Sequence, residues 1–116
     1  MTNKKILGNW GEDQALKYLL KHDYQLVARN WRCQRQELDL LVATPQLLVA
    51  IEVKTRRSPL AAGQPLLSLG QITRLRRALK CFCFLHHYPY QKTRLDLITI
   101  IANSKQSFTL NHYRDL

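Results

Sequence analysis

Three residues of this chain combine reactive chemistry with suggestive spacing: Asp39, Glu52 and Lys54. Asp39 lies in Leu38-Asp39-Leu40-Leu41-Val42 and Glu52 in Val49-Ala50-Ile51-Glu52-Val53. A further acid, Asp96, lies in Leu95-Asp96-Leu97-Ile98. Three of only eight acidic residues are thus set inside apolar runs, in a chain with 18 Lys and Arg and a formal charge of +10. A carboxylate in such a run is costly to desolvate unless it is paired or bound to metal. Solubility gives no reason for the placement.

The two runs around Asp39 and Glu52 alternate as strands and are separated by Thr44-Pro45-Gln46, a turn with a strand breaker at its centre. A hairpin centred on Pro45-Gln46 sets Leu38 opposite Val53, Leu40 opposite Ile51 and Val42 opposite Val49, an apolar face. The other face then opposes Asp39 to Glu52 and Glu37 to Lys54. Opposed Cβ atoms stand ~4.5–5.5 Å apart, so the two carboxylates would repel. A divalent cation would remove that repulsion and use both as hard oxygen ligands. Lys54, on the face of Glu52, would stabilise developing phosphate charge or orient an attacking water. The bland reading is an ion-pair set neutralised by Lys54 and nearby arginines. Pro45 excludes a tight type I′ turn, and an odd-length loop would slip the opposition by one residue without disturbing the alternation within each strand.

The elements that must position these residues follow from periodicity. Residues from about Asn3 to His22 read as a helix, with Leu7, Ala15, Leu16, Leu19 and Leu20 at helical spacing. Tyr24–Trp31, Glu37–Ala43 and Leu47–Lys54 read as strands, and residues 55–67, with Ser58-Pro59, Gly63 and Pro65, as a loop. A second helix spans about Ser68 to His87, with Leu69, Ile72, Leu75, Leu79, Phe82 and Leu85 as its apolar stripe. Arg94–Ile101 and Phe108–Tyr113 are the last strands. The order helix, three strands, helix, two strands is that of an α/β sandwich with a mixed sheet.

At 116 residues the chain reads as one domain, residues 1–116. No apolar run approaches the ~18 residues of a membrane span, and the short polar N-terminus lacks the apolar core of a secretory signal. The three cysteines, Cys33, Cys81 and Cys83, lack a disulfide-framework spacing, so reduced thiols in a cytoplasmic protein are the simpler expectation. Basic clusters at Lys54-Thr55-Arg56-Arg57 and Arg74-Leu75-Arg76-Arg77 point to a polyanion partner, against the plain alternative of a solvated basic surface.

Four segments carry a more specific likeness: Gly8-Asn9-Trp10-Gly11-Glu12-Asp13-Gln14-Ala15; Tyr24 with Arg29-Asn30-Trp31-Arg32; Glu37-Leu38-Asp39-Leu40-Leu41; and Ile51-Glu52-Val53-Lys54-Thr55-Arg56. Together they resemble the YraN family of small bacterial proteins, related to the archaeal Holliday junction resolvases within the PD-(D/E)xK nuclease superfamily. The likeness covers roughly residues 8–100, and Arg94-Leu95-Asp96 resembles the family's later strand. It implies a restriction-endonuclease-like, resolvase-like three-layer sandwich around a central mixed β-sheet. It implies Mg²⁺, with Mn²⁺ as a substitute, held by Asp39, Glu52 and the Val53 backbone carbonyl. Lys54 matches the motif lysine, Glu12 the glutamate of the first helix, and Glu37 an acid that would support Lys54 or form an ion pair. Gln36 stands where the family usually has glycine and Gln71 where it has lysine, which puts the entry to the strand and one phosphate contact in doubt.

Other candidates are weaker. Cys81-Phe82-Cys83 with His86 and His87 lacks paired zinc-ligand spacing. Trp10, Trp31, Tyr88 and Tyr90 would stack on unpaired bases or, more simply in the case of the tryptophans, pack in the core. His22 and His112 have no recognisable partner, and Asp96 is either a peripheral acid of the site or an ion-pair partner of Arg94. The expectation is a Mg²⁺-dependent endonuclease on branched or structured DNA, with Arg32, Arg56, Arg57, Arg74 and Arg77 on the nucleic acid and a homodimer by analogy. The alternatives are an inactive nucleic-acid-binding module and a scaffold in repair or recombination.

Overall fold

The computed structural model describes residues 3–57, 66–104 and 107–116. Five strands, β1 (Gln25–Cys33), β2 (Gln36–Ala43), β3 (Leu48–Arg56), β4 (Thr93–Ser104) and β5 (Ser107–Tyr113), lie side by side in sequence order. Neighbours are antiparallel except β3 and β4, which are parallel. Parallel neighbours need a crossover, and α2 (Leu69–Leu85) supplies it. The other helix, α1 (Asn3–Lys21), precedes the sheet, and a 3₁₀ turn at Tyr90–Lys92 leads into β4. The expected order of elements is met.

The helices occupy opposite faces. Ala15 and Leu19 of α1 pack with Leu40, Val42, Val49, Ile51, Ile98 and Ile100. On the other side Leu75, Ala78, Leu79, Phe82 and Cys83 of α2 pack with Leu38, Leu41, Leu48, Ala50 and Leu95. The α2 set follows the spacing of one helical face. Leu69 and Leu85, expected at the ends of that stripe, are instead solvent-exposed, because the stripe drifts off the sheet at both ends of the helix. The residues of β3 alternate between the two clusters, Leu48 and Ala50 in one and Val49 and Ile51 in the other, so β3 is apolar on both faces, as a central strand must be.

Local chemistry sets the boundaries. Ser68 caps α2 in a reciprocal box: its hydroxyl accepts from the Gln71 N–H at 3.1 Å, and the Gln71 side chain accepts from the Ser68 N–H at 2.9 Å. The helix closes through His87 at φ 53, just before Pro89. The β2–β3 turn is held by Thr44, whose hydroxyl accepts from Gln46 and Leu47 and whose N–H donates to the Leu47 carbonyl. This even, four-residue turn sets Ala43 opposite Leu48, Val42 opposite Val49 and Leu40 opposite Ile51, the register expected from the sequence.

Two expectations need changing. The loop expected at 55–67 is shorter at its start, since β3 runs on to Arg56; its Ser58-Pro59, Gly63 and Pro65 lie outside the described residues. Reduced thiols were expected, yet Cys33 at the end of β1 is disulfide-bonded to Cys81 of α2, and Cys83 is free and buried. Cysteines 48 residues apart have no spacing signature; the docking of α2 beside β1 brings them together. Among the described residues no helix is long and apolar enough to cross a membrane.

Candidate metal and phosphate site

The β2–β3 ladder runs from Ala43–Leu48 to Leu40–Ile51 and then opens. Direct opposition of Asp39 to Glu52 and of Glu37 to Lys54 is therefore not part of the ladder. Asp39 takes over a backbone role instead: its Oδ2 accepts from the Val53 N–H at 2.9 Å. A donor that a continuing β2 would have paired is satisfied by a side chain, so the strands separate without leaving a polar group bare. In a strand the N–H and C=O of one residue point the same way, so the Val53 carbonyl also heads toward the mouth of this fork.

Glu52 stands beside Asp39. Burial, a hydrogen bond with Asp39 and the charge of Asp39 push its carboxyl up to about 9, against the opposing pull of Lys54 and of the Val53 backbone. The direction is that expected of an acid held close to a second one.

Glu12 reaches the same place from α1 because the helix comes unusually close to β3. Gly11 is buried, and a Cβ built there would lie 1.8 Å from the Thr55 hydroxyl oxygen. Only glycine permits that approach. Burial and the charge of Asp39 raise the Glu12 carboxyl, while Arg29 and the Asn30 side chain act to lower it. Arg29 lies 3.3 Å from Glu12 and 2.7 Å from Asp13. Asp39 is thus the common neighbour of Glu12 and Glu52. Arg29 and Asn30 had no assigned role from the sequence; their place in the Arg29-Asn30-Trp31-Arg32 segment was the available signal.

The remaining candidates divide. Lys54 shares the sheet face of Glu52 and lowers its proton affinity. Glu37 pairs with Arg32 at 3.0 Å rather than with Lys54, which makes it an ion-pair partner on the β1–β2 hairpin. It nevertheless helps line a cavity of about 220 Å³ with Glu52, Arg35, Gln36, Gln71 and Arg74. Gln36 and Gln71, the two departures from the family pattern, both border this acid-containing cavity, and Gln71 is committed to the α2 cap. Arg74 brings a cation to the cavity; Arg77 is exposed further along α2, and Arg56 and Arg57 are exposed at the end of β3.

Asp96 belongs elsewhere. It is fully buried on β4, with Arg94 at 2.8 and 2.9 Å, His112 at 2.8 Å and the Asp115 N–H at 3.0 Å. His112, which had no partner in the sequence reading, also meets the Tyr18 hydroxyl at 2.9 Å. Trp10 packs edge-on against Phe108 and Trp31 against Phe82, so the tryptophans are packing residues. Cys81 is committed to Cys33 and Cys83 to the core, which leaves the zinc reading without its cysteines.

Among the described residues no three of His, Cys, Asp and Glu form a closed metal cage. The donor set at the fork is of another kind, two neighbouring carboxyls. It fits an ion such as Mg²⁺, which is commonly held by one or two carboxylates and keeps waters and substrate oxygens as its other ligands.

A family profile described as "Uncharacterised protein family UPF0102" matches residues 11–100, which contain every residue of the fork. The chain belongs to UPF0102. A "UPF0102 protein" of Arthrobacter sp. (strain FB24) is 34% identical over 116 residues, covering 98% of each chain. One of Prochlorococcus marinus (strain MIT 9313) is 37% identical over 104 residues, covering 88% of this chain and 82% of its own. One of Streptomyces griseus subsp. griseus is 32% identical over 117 residues, covering 98% of each. The UPF0102 likeness is therefore to a whole chain, not to a borrowed motif.

Proposed function

We propose that this UPF0102 protein is a divalent-metal-dependent phosphodiesterase of Holliday junction resolvase type, acting on branched or structured DNA through a restriction-endonuclease-like fold. The observation that carries the reading is the convergence of Asp39 and Glu52 at the fork, where the β2–β3 ladder ends and Asp39 takes the Val53 N–H, in a chain of net charge +10. Two partly buried carboxyls held side by side are a site where a doubly charged ion relieves an electrostatic cost.

Asp39 and Glu52 would hold Mg²⁺ or Mn²⁺, with the Val53 carbonyl beside them. Bound there, the ion would supply charge stabilisation for the phosphate and a more acidic water. Lys54 places a positive charge along the same strand face, where charge develops on the phosphate oxygens. Arg74, Arg77, Arg56, Arg57 and Arg32 draw in and hold the backbone of the nucleic acid. Glu12 adds a further carboxyl near Asp39 from the helix side, with Arg29 limiting the repulsion. By analogy with resolvases the protein would work as a symmetric pair.

The competing reading is a catalytically inactive nucleic-acid-binding module or scaffold. It draws on the existing Glu12–Arg29 pair, which occupies one acid of the cluster without any metal. Calorimetric titration with Mg²⁺ and Mn²⁺, run beside a cleavage assay on branched and linear DNA, separates the two. The proposal expects binding that Asp39→Ala abolishes, and metal-dependent cleavage that falls by about 10²–10³ in Lys54→Ala. Metal binding indifferent to Asp39→Ala, or no cleavage of any branched substrate, would overturn it.

A further inference from the structure

The part of the sheet beyond the fork, on the α2 side, has its own concavity. In the register of β3, β4 and β5, Glu52 aligns with Leu97 and Tyr113, Lys54 with Thr99 and Asn111, and Arg56 with Ile101 and Thr109. Residues two apart on a strand share a face, so these rows project together. The sheet contacts of α2 are mainly with β2 and β1, at the other end of this face. The strip over β4 and β5 contains a hollow of about 170 Å³, whose polar and charged wall is Lys54, Arg56, Thr99 and Asn111 and whose apolar wall includes Leu66 and Tyr113.

We propose that this hollow receives one unpaired nucleobase of the strand whose phosphate sits at the Asp39–Glu52 fork. The inference rests on the reading of the fork as a nucleic-acid site, and adds the substrate feature that the site selects.

Several observations converge on a base. Lys54 belongs to both places: it acts on Glu52 electrostatically and forms part of the wall of the hollow. Same-face residues on a strand are about 6.6 Å apart, so a phosphate at Glu52 and Lys54 places its attached nucleoside within reach of this strip. The Tyr113 ring, 40% exposed, offers a stacking surface. Thr99 and Asn111 each combine donor and acceptor capacity, as reading a base edge requires. Among the described residues neither side chain has a hydrogen-bond partner. The volume lies well below the ~300 Å³ at which pockets for larger organic ligands begin, which suits a single ring system. Arg56 at the rim matches the next phosphate. A base within duplex DNA cannot enter such a hollow without leaving the stack, so the site favours branch points, flaps and single-stranded ends.

The test is equilibrium binding to a fork with one unpaired 2-aminopurine at the branch and to a fully paired duplex of equal length, followed by anisotropy and by 2-aminopurine fluorescence. Wild type should prefer the fork and change the fluorescence of the unpaired base. Tyr113→Ala and Asn111→Ala should lower the fork-over-duplex ratio by about tenfold each. Tyr113→Phe, which keeps the stacking ring, should restore the ratio, so a folding defect is distinguishable from a lost stack. Asn103→Ala, whose side chain meets Thr109 rather than the hollow, serves as a control and should keep the ratio. Binding of both DNAs with an unchanged ratio in Tyr113→Ala and Asn111→Ala would overturn the base pocket and leave the fork reading intact. Wild type that binds neither DNA would overturn both.

Discussion

Gly11 and Thr55 are in direct contact across the α1–β3 interface, with no room for even one methyl group between the helix backbone and the threonine side chain. That contact brings Glu12 near Asp39. Gly11→Ala should cost about 1–3 kcal/mol in chemical denaturation, the usual penalty for overpacking. It should also weaken any metal binding at the fork, because the helix must lift. Unchanged stability would show that α1 is not held this closely.

Glu52 makes the stability of the metal-free protein pH-dependent in a defined direction. Its carboxyl is raised from 4.5 to about 9 in the folded chain, so the folded state holds the extra proton across that interval. The associated stability is complete below pH 4.5 and is lost as pH rises toward 9. Glu52→Gln should flatten this dependence and raise the melting temperature at pH 8, by about 4–8 °C for each kcal/mol relieved. Divalent metal should bind more tightly as pH rises through the same range, releasing a proton that calorimetry in buffers of different ionisation heat will count. A proton count of zero would mean that Glu52 does not hold its proton in the folded chain.

Asp96 works in the opposite sense. Burial pushes its carboxyl up, but hydrogen bonds from His112, Arg94 and the Asp115 N–H, together with the Arg94 charge, outweigh burial and hold it below its ordinary 3.8. Its contribution is therefore present above pH 3.8 and lost as pH falls through the lowered value. Asp96→Ala leaves Arg94 and His112 without their carboxylate and should cost about 3–5 kcal/mol. Fork chemistry should be affected only through global stability. A metal-binding defect in a still-folded Asp96→Asn would mean that this network reaches the fork.

The Cys33–Cys81 disulfide ties β1 to α2 across a sequence separation of 48. Reductant should lower the unfolding free energy by about 2–4 kcal/mol. Cys33→Ser should show a similar loss and no further response to reductant. Coincident denaturation curves with and without reductant would indicate that the bond does not contribute.

Much of the architecture is legible from neighbours in the chain. Alternation marks β2 and β3, the spacing of Leu75, Leu79 and Phe82 marks α2, and the order of elements implies a mixed sheet. The β2–β3 register was also readable, because an even turn around Pro45 is decided locally, and Thr44 closes it with its own hydroxyl. The candidate acids were legible for a related reason: a carboxylate in an apolar run stands out against its neighbours.

What could not be read is where that register stops. The ladder opens at Asp39 because a side chain, 14 residues away in sequence, competes successfully for the Val53 N–H. The arrival of Glu12 depends on one missing methyl at Gly11, the diversion of Glu37 on Arg32, and the partnership of Tyr18 with His112 on residues 94 apart. Periodicity and turn chemistry are short-range properties that composition records directly. Contacts between distant segments depend on how whole faces pack and on which polar groups are left for side chains to satisfy, so only the folded arrangement decides them.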